Sequence, residues 1–180
     1  IIINIADRTL YFFRDGNLTV IPVGVGKSAA HVNGDWKTST GRFHIRAKKT
    51  NPTWYVPESI QIEALLKGKE VVERVPPGPD NPLGKHALVT SKPGILIHET
   101  NRPSSVYRYV SHGCIRVLPE HMKRLFPLVQ VGEGGEIIYE PVKVAAGDNG
   151  KVYLEVRTDV YKRVGSLREH AERVIKAKGL

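Results

Sequence analysis

Two apolar runs separated by Asp15-Gly16 constrain the fold of this chain more than any other feature. Residues 10–13 and 18–25 flank the pair, and Asp-Gly between two such runs is a strong signal for a β-hairpin with a two-residue turn. Further along, Phe43 and Ile45 alternate with charged and polar residues, as in a half-buried strand. Similar short strands are predicted as far as residue 156. The sequence therefore predicts a mostly β fold with a few helices (α+β), arranged as a sandwich or a barrel.

Three segments carry the signals of helices. Residues 57–66 begin with proline and are followed two residues later by glycine, which is the usual order of these residues at the two ends of a helix. Residues 119–128 carry apolar side chains at positions i, i+3 and i+4, which form one stripe. The last segment opens with Ser166 and Glu169, the spacing of a capping box. We therefore expect a short helix, a second helix after the only cysteine, and a C-terminal helix.

The length of 180 residues fits one domain with its own core, and the net charge of +9 narrows the choice of partners. A basic surface attracts nucleic acid, acidic membranes or cell-wall polymers, or it simply keeps a protein soluble. Because the aromatic content of 7% is low for stacking on bases, no nucleic-acid partner is predicted. No apolar run approaches the roughly 20 residues of a membrane-spanning helix. Since the chain opens directly in a strand-like run, we expect any targeting segment to have been removed.

The only cysteine, Cys114, lies in the segment that is richest in groups useful for nucleophilic catalysis. A thiol with a pKa of roughly 8.5 is only partly ionised at neutral pH, and enzymes lower this pKa with an adjacent imidazole or a helix N-terminus. Both are close in sequence, because His98 and His112 precede the cysteine and a predicted helix follows it. The sequence therefore predicts a thiol with a lowered pKa, beside backbone N–H groups at residues 112–114 that face a developing oxyanion.

Spacing alone leaves the identity of the base open. If the residues before Cys114 form a strand, His112 shares a face with the thiol, whereas His98 ends a predicted strand that could lie alongside. The two histidines and the cysteine could also bind zinc, although no CxxC or HExxH motif is present. A third alternative is that Cys114 is a buried and inert side chain.

This segment resembles the catalytic domain of the YkuD-type (ErfK/YbiS-like) L,D-transpeptidases, which crosslink bacterial peptidoglycan. That family carries a histidine, a spacer, and then Ser-His-Gly-Cys followed by an apolar residue and an arginine. The same pattern is present here in His98, in a spacer that holds Asn101 and Pro103, and in residues 111–116. A motif of this length is far more specific than an isolated Cys–His pair.

The resemblance extends beyond the motif, to the opening hairpin, to NPTW at residues 51–54 and to VPPGPDNPLG at residues 75–84. It covers residues 1–144, which would form the catalytic domain, and residues 145–180 are expected to be a strand-helix extension packed on the same domain. The implied fold is an L,D-transpeptidase-like β-sandwich or mixed sheet with a C-terminal helix. The loop at residues 75–84 is interpreted either as a rigid surface loop or as a wall of the substrate cleft.

The resemblance implies a role for each residue of the site. Cys114 would attack the carbonyl of the third stem-peptide residue, commonly meso-diaminopimelate, and expel the terminal D-alanine. His98 would take the thiol proton and would be oriented by the backbone carbonyl of Glu99. The resemblance also implies a catalytic role for His112. The backbone N–H groups of His112, Gly113 and Cys114 would contact the oxyanion. Arg116, Ser111 and Asn101 would bind the substrate. The family usually has glycine or serine after the base, so the carboxylate of Glu99 could instead raise the pKa of the imidazole.

The resemblance also implies products, partners and a compartment. The thioester would pass to an amine of a second stem, giving a 3-3 crosslink, or to a wall-attached lipoprotein, and carbapenems would acylate the thiol. One alternative is a hydrolase, either an L,D-carboxypeptidase or an enzyme that releases wall-bound protein. Another is a non-catalytic, basic module that binds the cell wall. The expected location is the periplasm or the outer cell surface, and we expect a monomer that needs no cofactor and no metal.

Overall fold

The computed structural model describes residues 1–31 and 34–180, and strands dominate this part of the chain. The strands are β1 Ile2–Asn4, β2 Thr9–Arg14, β3 Asn17–Gly26, β4 Ala30–His31, β5 Gly34–Asp35, β6 Gly41–Thr50, β7 Trp54–Tyr55, β8 Arg74–Val75, β9 His86–Thr90, β10 Leu96–Glu99, β11 Tyr109–Ser111, β12 Ile115–Val117, β13 Gly134–Ile138, β14 Val142–Ala146 and β15 Val152–Val156. The α-helices are α1 Glu58–Leu66, α2 Pro119–Leu128 and α3 Leu167–Ala177. The predicted mostly β fold with a few helices is confirmed.

Two β layers share the long strands β3 and β6. The first half of β3 pairs with β2, and the first layer continues through β1 and β13 to the first half of β6. The second half of β3 pairs with β12, and the second layer continues through β10 and β9 to the second half of β6. The register of β6 shifts between Ile45 and Ala47, an irregularity that bends a strand as it passes between layers.

The hairpin of β2 and β3 forms where the sequence predicts it. Arg14 pairs with Asn17, so Asp15 and Gly16 are the whole turn. Both turn residues have positive φ angles, 50° and 75°, which is the conformation that two-residue hairpins favour because its twist matches that of the strands.

One apolar core joins the two layers and α2. Its fully buried members include Phe12 from the first layer and Leu88 and Ile97 from the second. Met122 and Leu125 of α2 close the core from one side, as the apolar stripe of this helix predicts. Burying a side chain of this size contributes about 1.5–3 kcal/mol, so the core fixes the positions of the second-layer strands on which the site is built.

The parallel pair of β10 and β12 places three predicted site residues together. Ile97 is paired with Ile115, and both point into the core. Since successive side chains of a strand alternate between its faces, His98 and its partner Arg116 lie on the opposite face. Cys114 directly precedes β12 on that same face. This register, rather than sequence proximity, brings residues 98 and 114 to one side of the sheet.

The flap, defined here as residues 54–75, lies beside this face. It consists of β7 and β8, which pair with each other, and of α1 between them. None of the residues of α1 is buried, so the flap holds its place without a core of its own.

The C-terminal residues pack on the rest of the chain through α3 and Tyr161. Helix α3 covers β14 with Ala171 against Val142 and Val144, and the predicted cap is formed as Ser166 Oγ accepts from the backbone N–H of residue 169 at 3.3 Å. The boundary that the sequence predicts between the catalytic domain and the C-terminal extension, at residue 144, lies inside β14. Over the described residues, no helix combines the length and apolar character that crossing a membrane requires.

Candidate active site

A cavity of about 310 Å³ separates the flap from β10 and β12. Its flap side is formed by residues that include Trp54, Ile60 and Val75, and Pro82 and Leu83 of the 75–84 loop also line it. The sequence-predicted residues that line the cavity are His98, Asn101, Ser111, His112, Cys114 and Arg116. The cavity therefore gathers the predicted site residues, from His98 to Arg116, against the flap, and the 75–84 loop is one of its walls.

The Cys114 thiol is half-buried and protonated at rest. Its Sγ donates to the carbonyl oxygen of Gly94 at 3.3 Å. Burial raises the pKa of the thiol, against smaller opposing effects from the backbone N–H of Leu96 and the charge of Arg116. The predicted lowering of this pKa is therefore wrong. The helix expected to cause it begins beyond β12, and a strand of three residues is about 10 Å long.

His98 is almost fully buried, and it is neutral. Its Nδ1 lies 2.5 Å from the carbonyl oxygen of Glu99, so we assign the ring proton to Nδ1. Burial lowers the pKa of His98 to about 4 and Arg116 acts in the same direction, while the carbonyls of Glu99 and Pro82 oppose them. With Nδ1 protonated, Nε2 is the ring nitrogen whose lone pair can accept a proton.

The carboxylate of Glu99 points to the opposite face of β10. It pairs with Nδ1 of His86 at 2.6 Å and accepts from the backbone N–H of Lys85 at 2.7 Å. A Cβ on Gly84 would collide with this side chain, and Gly84 has a positive φ of 65°, so glycine is needed there. The carboxylate therefore does not act on the imidazole of His98, and a residue larger than glycine or serine is accommodated after the histidine.

The loop at residues 111–114 is shaped by Ser111 and Gly113 rather than by strand pairing. Ser111 Oγ donates to the carbonyl of Cys114 at 2.6 Å and accepts from the backbone N–H of Gly113 at 3.2 Å. Gly113 has a φ of 110°, a conformation that side chains with a Cβ rarely adopt. The idea that His112 and Cys114 share the face of a strand is thus wrong, since only residues from 115 onward join β12.

The imidazole of His112 contacts the flap. Its Nε2 lies 2.8 Å from a carboxylate oxygen of Glu63 in α1, and its ring meets the ring of Trp36 edge-on, with centroids 4.4 Å apart. Burial lowers the pKa of His112, and Lys27 and Arg116 act in the same direction, whereas Glu63 opposes them.

Arg116 and Asn101 have different surroundings in the cavity: Arg116 lies near a second cation, and Asn101 is hydrogen-bonded to a loop. The pKa of Arg116 is lowered first by burial and then by the nearby charge of Arg102, so two cations stand close together beside the thiol. The amide of Asn101 donates to the carbonyl of Pro79 at 3.2 Å and helps to hold the 75–84 loop. Asn101 also lines a second cavity of about 730 Å³ behind β10.

Two further residues, which no motif in the sequence predicts, support the 111–114 loop. Thr38 Oγ1 donates to the carbonyl of Gly113 at 2.8 Å and accepts from the backbone N–H of Gly26 at 2.9 Å. The hydroxyl of Tyr161 accepts from the backbone N–H of Thr38 at 3.0 Å and donates to the carbonyl of Gly26 at 2.5 Å. No local pattern marks either residue, because the contacts join distant parts of the chain.

We expect Tyr161→Phe to destabilise the fold by about 1–3 kcal/mol, since it leaves the buried N–H of Thr38 and carbonyl of Gly26 without this partner. Urea unfolding measures the loss, and hydrogen exchange should show faster exchange in residues 111–114. Tyr153→Phe is the matched control, because Tyr153 is exposed and its hydroxyl accepts a hydrogen bond from the surface residue Asn149. Equal, small effects of both substitutions would contradict the support role of Tyr161.

Metal ligation finds no support in this arrangement. Across residues 1–31 and 34–180, no three histidine, cysteine, aspartate or glutamate side chains are grouped so as to hold a metal ion. The ring of His112 is instead committed to Glu63, and the thiol to a carbonyl.

Comparison with known families decides what kind of domain carries this site. The family model of the YkuD L,D-transpeptidase catalytic domain matches residues 1–144. The chain belongs to the YkuD family of L,D-transpeptidase catalytic domains. The family assignment made from the motif around Cys114 is therefore confirmed. Thr38 lies within the matched residues and Tyr161 beyond them.

Curated relatives and solved structures agree with this assignment. The protein named "Probable L,D-transpeptidase YcfS" of Escherichia coli (strain K12) is 36% identical over 168 residues, which cover 91% of this chain and 51% of that protein. An L,D-transpeptidase from Mycobacterium smegmatis superposes with a TM-score of 0.54 at 26% identity, covering 76% of this chain and 57% of the other. The chain thus spans about half the length of the curated relative.

A third match, the L,D-transpeptidase LdtMt1 in complex with imipenem, has a TM-score of 0.53 at 23% identity and covers 76% of this chain and 57% of the other. At this identity the likeness shows the fold alone. The sheet-rich fold is thus shared with solved L,D-transpeptidase structures.

Proposed function

We propose that the chain is a cysteine-dependent L,D-transpeptidase that acts on peptidoglycan stem peptides. The observation that carries the proposal is that Cys114 and a neutral, carbonyl-oriented His98 line one cavity, on a segment that matches the L,D-transpeptidase catalytic domain. A nucleophile, a base and a group that orients the base are the three parts that such chemistry requires.

In the first step, Nε2 of His98 accepts the thiol proton while the sulfur of Cys114 bonds to the carbonyl carbon of the third stem residue, meso-diaminopimelate. The backbone N–H groups of His112 and Cys114 would stabilise the oxyanion, since that of Gly113 already donates to Ser111. When the intermediate collapses, the carbon–nitrogen bond breaks, the proton passes from His98 to the departing D-alanine amine, and a thioester remains.

In the second step, an amine attacks the thioester carbonyl, loses its proton to His98 and releases the Cys114 sulfur, which recovers a proton. An amine on a second stem gives a 3-3 crosslink, and an amine on a wall-attached lipoprotein gives a protein anchor. Arg116, with Arg102 close by, supplies positive charge for a substrate carboxylate. Asn101 and Ser111 would contribute through the loops that they hold.

The pKa values favour a neutral thiol and a neutral imidazole over a preformed ion pair. Burial raises the pKa of Cys114 and lowers that of His98, so the proton moves only as the sulfur attacks. His98 is then the general base. His112, whose Nε2 is taken by Glu63, is the less suitable candidate.

We expect kcat/KM for a tetrapeptide donor to stay level from pH 7 to about pH 5 and to fall with a midpoint near pH 4. The reason is that the free enzyme loses its base only when His98 is protonated, and its pKa is about 4. Release of D-alanine measures the rate, and NMR titration of the donor separates its own carboxyl groups. A midpoint near 6.5 would contradict a buried base.

Product analysis tests the proposed function and separates its rivals. The protein is incubated with a muropeptide that bears a tetrapeptide stem, and the products are weighed by mass spectrometry. A crosslinked dimer with loss of one D-alanine supports the transpeptidase. Tripeptide alone would support a hydrolase, and unchanged substrate from folded protein would support a non-catalytic wall-binding module.

The proposed chemistry also suggests where the protein acts and which partners it has. Peptidoglycan carries carboxylates, which complement the net charge of +9. We propose a periplasmic or cell-surface location, a monomer, and stem peptides or a wall lipoprotein as partners, with no nucleic acid. The thioester steps above need no cofactor.

A further inference from the structure

Glu63 connects the flap to the loop that carries Cys114. It lies in α1, a helix with no buried residue. One carboxylate oxygen of Glu63 is 2.8 Å from Nε2 of His112, two residues before the cysteine. The flap thus contacts the 111–114 loop through an ionisable pair whose partners are 49 positions apart in the sequence.

The second oxygen of Glu63 faces two cations. Lys67 Nζ, one turn along α1, donates to it at 2.5 Å, and Lys27 Nζ lies 3.7 Å away. Because Lys67 is well exposed, its ion pair with Glu63 contributes little to the free energy of folding. Lys27 lies directly after β3, so Glu63 joins α1 to the sheet as well as to the loop.

An aromatic ring completes the cluster. Lys27 Nζ stands 3.6 Å from the ring centroid of Trp36, and the same ring meets His112 edge-on. His112 therefore has Trp36 against its ring and Glu63 on its outer nitrogen. These contacts leave the imidazole little freedom to rotate.

The charge of Glu63 persists over the working pH range. The hydrogen bond from Lys67 lowers the pKa of this carboxyl to about 2, with further lowering by His112 and Lys27 against the effect of burial. The carboxylate is therefore charged at neutral pH, and its contact with His112 is a hydrogen bond to a charged acceptor, which is the stronger kind.

We propose that Glu63 is a positioning residue, whose hydrogen bond to His112 holds the flap on the 111–114 loop and thereby sets the shape of the Cys114 cavity. Its effect on catalysis rests on the proposed function, but its hold on the flap does not. Without this bond the flap moves away from the loop, so its backbone exchanges faster and the donor binds more weakly.

Hydrogen exchange and donor kinetics of Glu63→Ala test the proposal. Alanine is a good helix former and the pair with Lys67 that is lost is exposed, so α1 itself is weakened only slightly. We expect exchange in residues 58–66 to rise about tenfold, and KM for the donor to rise by about as much with a smaller change in kcat. Glu63→Gln keeps an acceptor oxygen and should recover part of the loss. Glu70→Ala, at an exposed position of the flap outside α1, is the matched control and should change neither quantity.

A substitution on the other side of the bond, His112→Ala, tests the proposal without relying on how Glu63→Ala affects folding. His112→Ala should also increase exchange in the flap, and the double variant should show clearly less than the sum of the two single effects, because both variants remove the bond between Glu63 and His112. Unchanged flap exchange in Glu63→Ala, or additive effects, would overturn the proposal. If the flap exchanges faster as expected but the wild-type protein turns over no donor, the proposed function fails and the positioning of the flap by Glu63 stands.

Discussion

Replacing Cys114 with alanine should lower the rate of D-alanine release from a tetrapeptide donor by about a thousandfold or more, to the detection limit. The sulfur is the atom that bonds to the substrate carbonyl, and removing a nucleophile leaves only the small contribution of the oxyanion contacts and of binding. The side chain is half-buried and donates one weak hydrogen bond, so the loss reports chemistry and not unfolding. Mass-spectrometric product analysis measures it.

Cys114→Ser is the matched comparison for that variant. The hydroxyl keeps the shape and the donor to Gly94, but an alkoxide is harder to form than a thiolate, so activity should remain near that of Cys114→Ala. Thermal unfolding of both variants within a few degrees of the wild type shows that the fold is intact. Normal turnover by folded Cys114→Ala would remove the nucleophile from the mechanism.

His98→Gln should lower kcat/KM by about 10²–10⁴-fold, which is the usual contribution of a positioned general base. Glutamine can still donate to the carbonyl of Glu99, as Nδ1 of His98 does, so the site keeps much of its shape. What is lost is the lone pair that receives the thiol proton. Donor kinetics measure the effect, and His44→Gln, on an exposed position of β6, should be neutral.

The same variant has an effect on stability that is independent of activity. The pKa of His98 is about 4 in the folded protein against 6.5 for the free side chain, so the unfolded chain binds more protons between these values. The contribution of neutral His98 to the free energy of unfolding is therefore fully present above pH 6.5. It falls by about 3 kcal/mol as the pH falls to 4. His98→Gln should remove this dependence. Urea unfolding at pH 4 and pH 7 tests it, and an unchanged dependence would show that His98 is not buried and neutral.

Local signals in the sequence predicted much of the fold. Turn and capping preferences act over a few residues. They therefore predicted the Asp15-Gly16 turn and the three helical segments at residues 57–66, 119–128 and 166–177. The passage of β3 and β6 between two layers could not be predicted in this way, because it depends on which strands lie beside them.

The site was predictable as a set of residues but not as an arrangement. The motif around Cys114 identified the residues that the cavity gathers, yet the pKa of the thiol depends on burial, which no spacing reveals. The pairs Glu63–His112 and Thr38–Tyr161 span 49 and 123 positions, so nothing local in the sequence announces them. Tyr161 also supports the proposal that residues 145–180 complete the catalytic domain.

Intact-mass spectrometry of the folded protein after incubation with imipenem tests the central claim most directly. A β-lactam ring that the thiol opens stays attached through a thioester, which halts the reaction at its first step. We expect the mass to rise by one imipenem and the peptide that contains Cys114 to carry the adduct. An unchanged mass, or an adduct on a peptide without Cys114, would show that Cys114 is not the nucleophile.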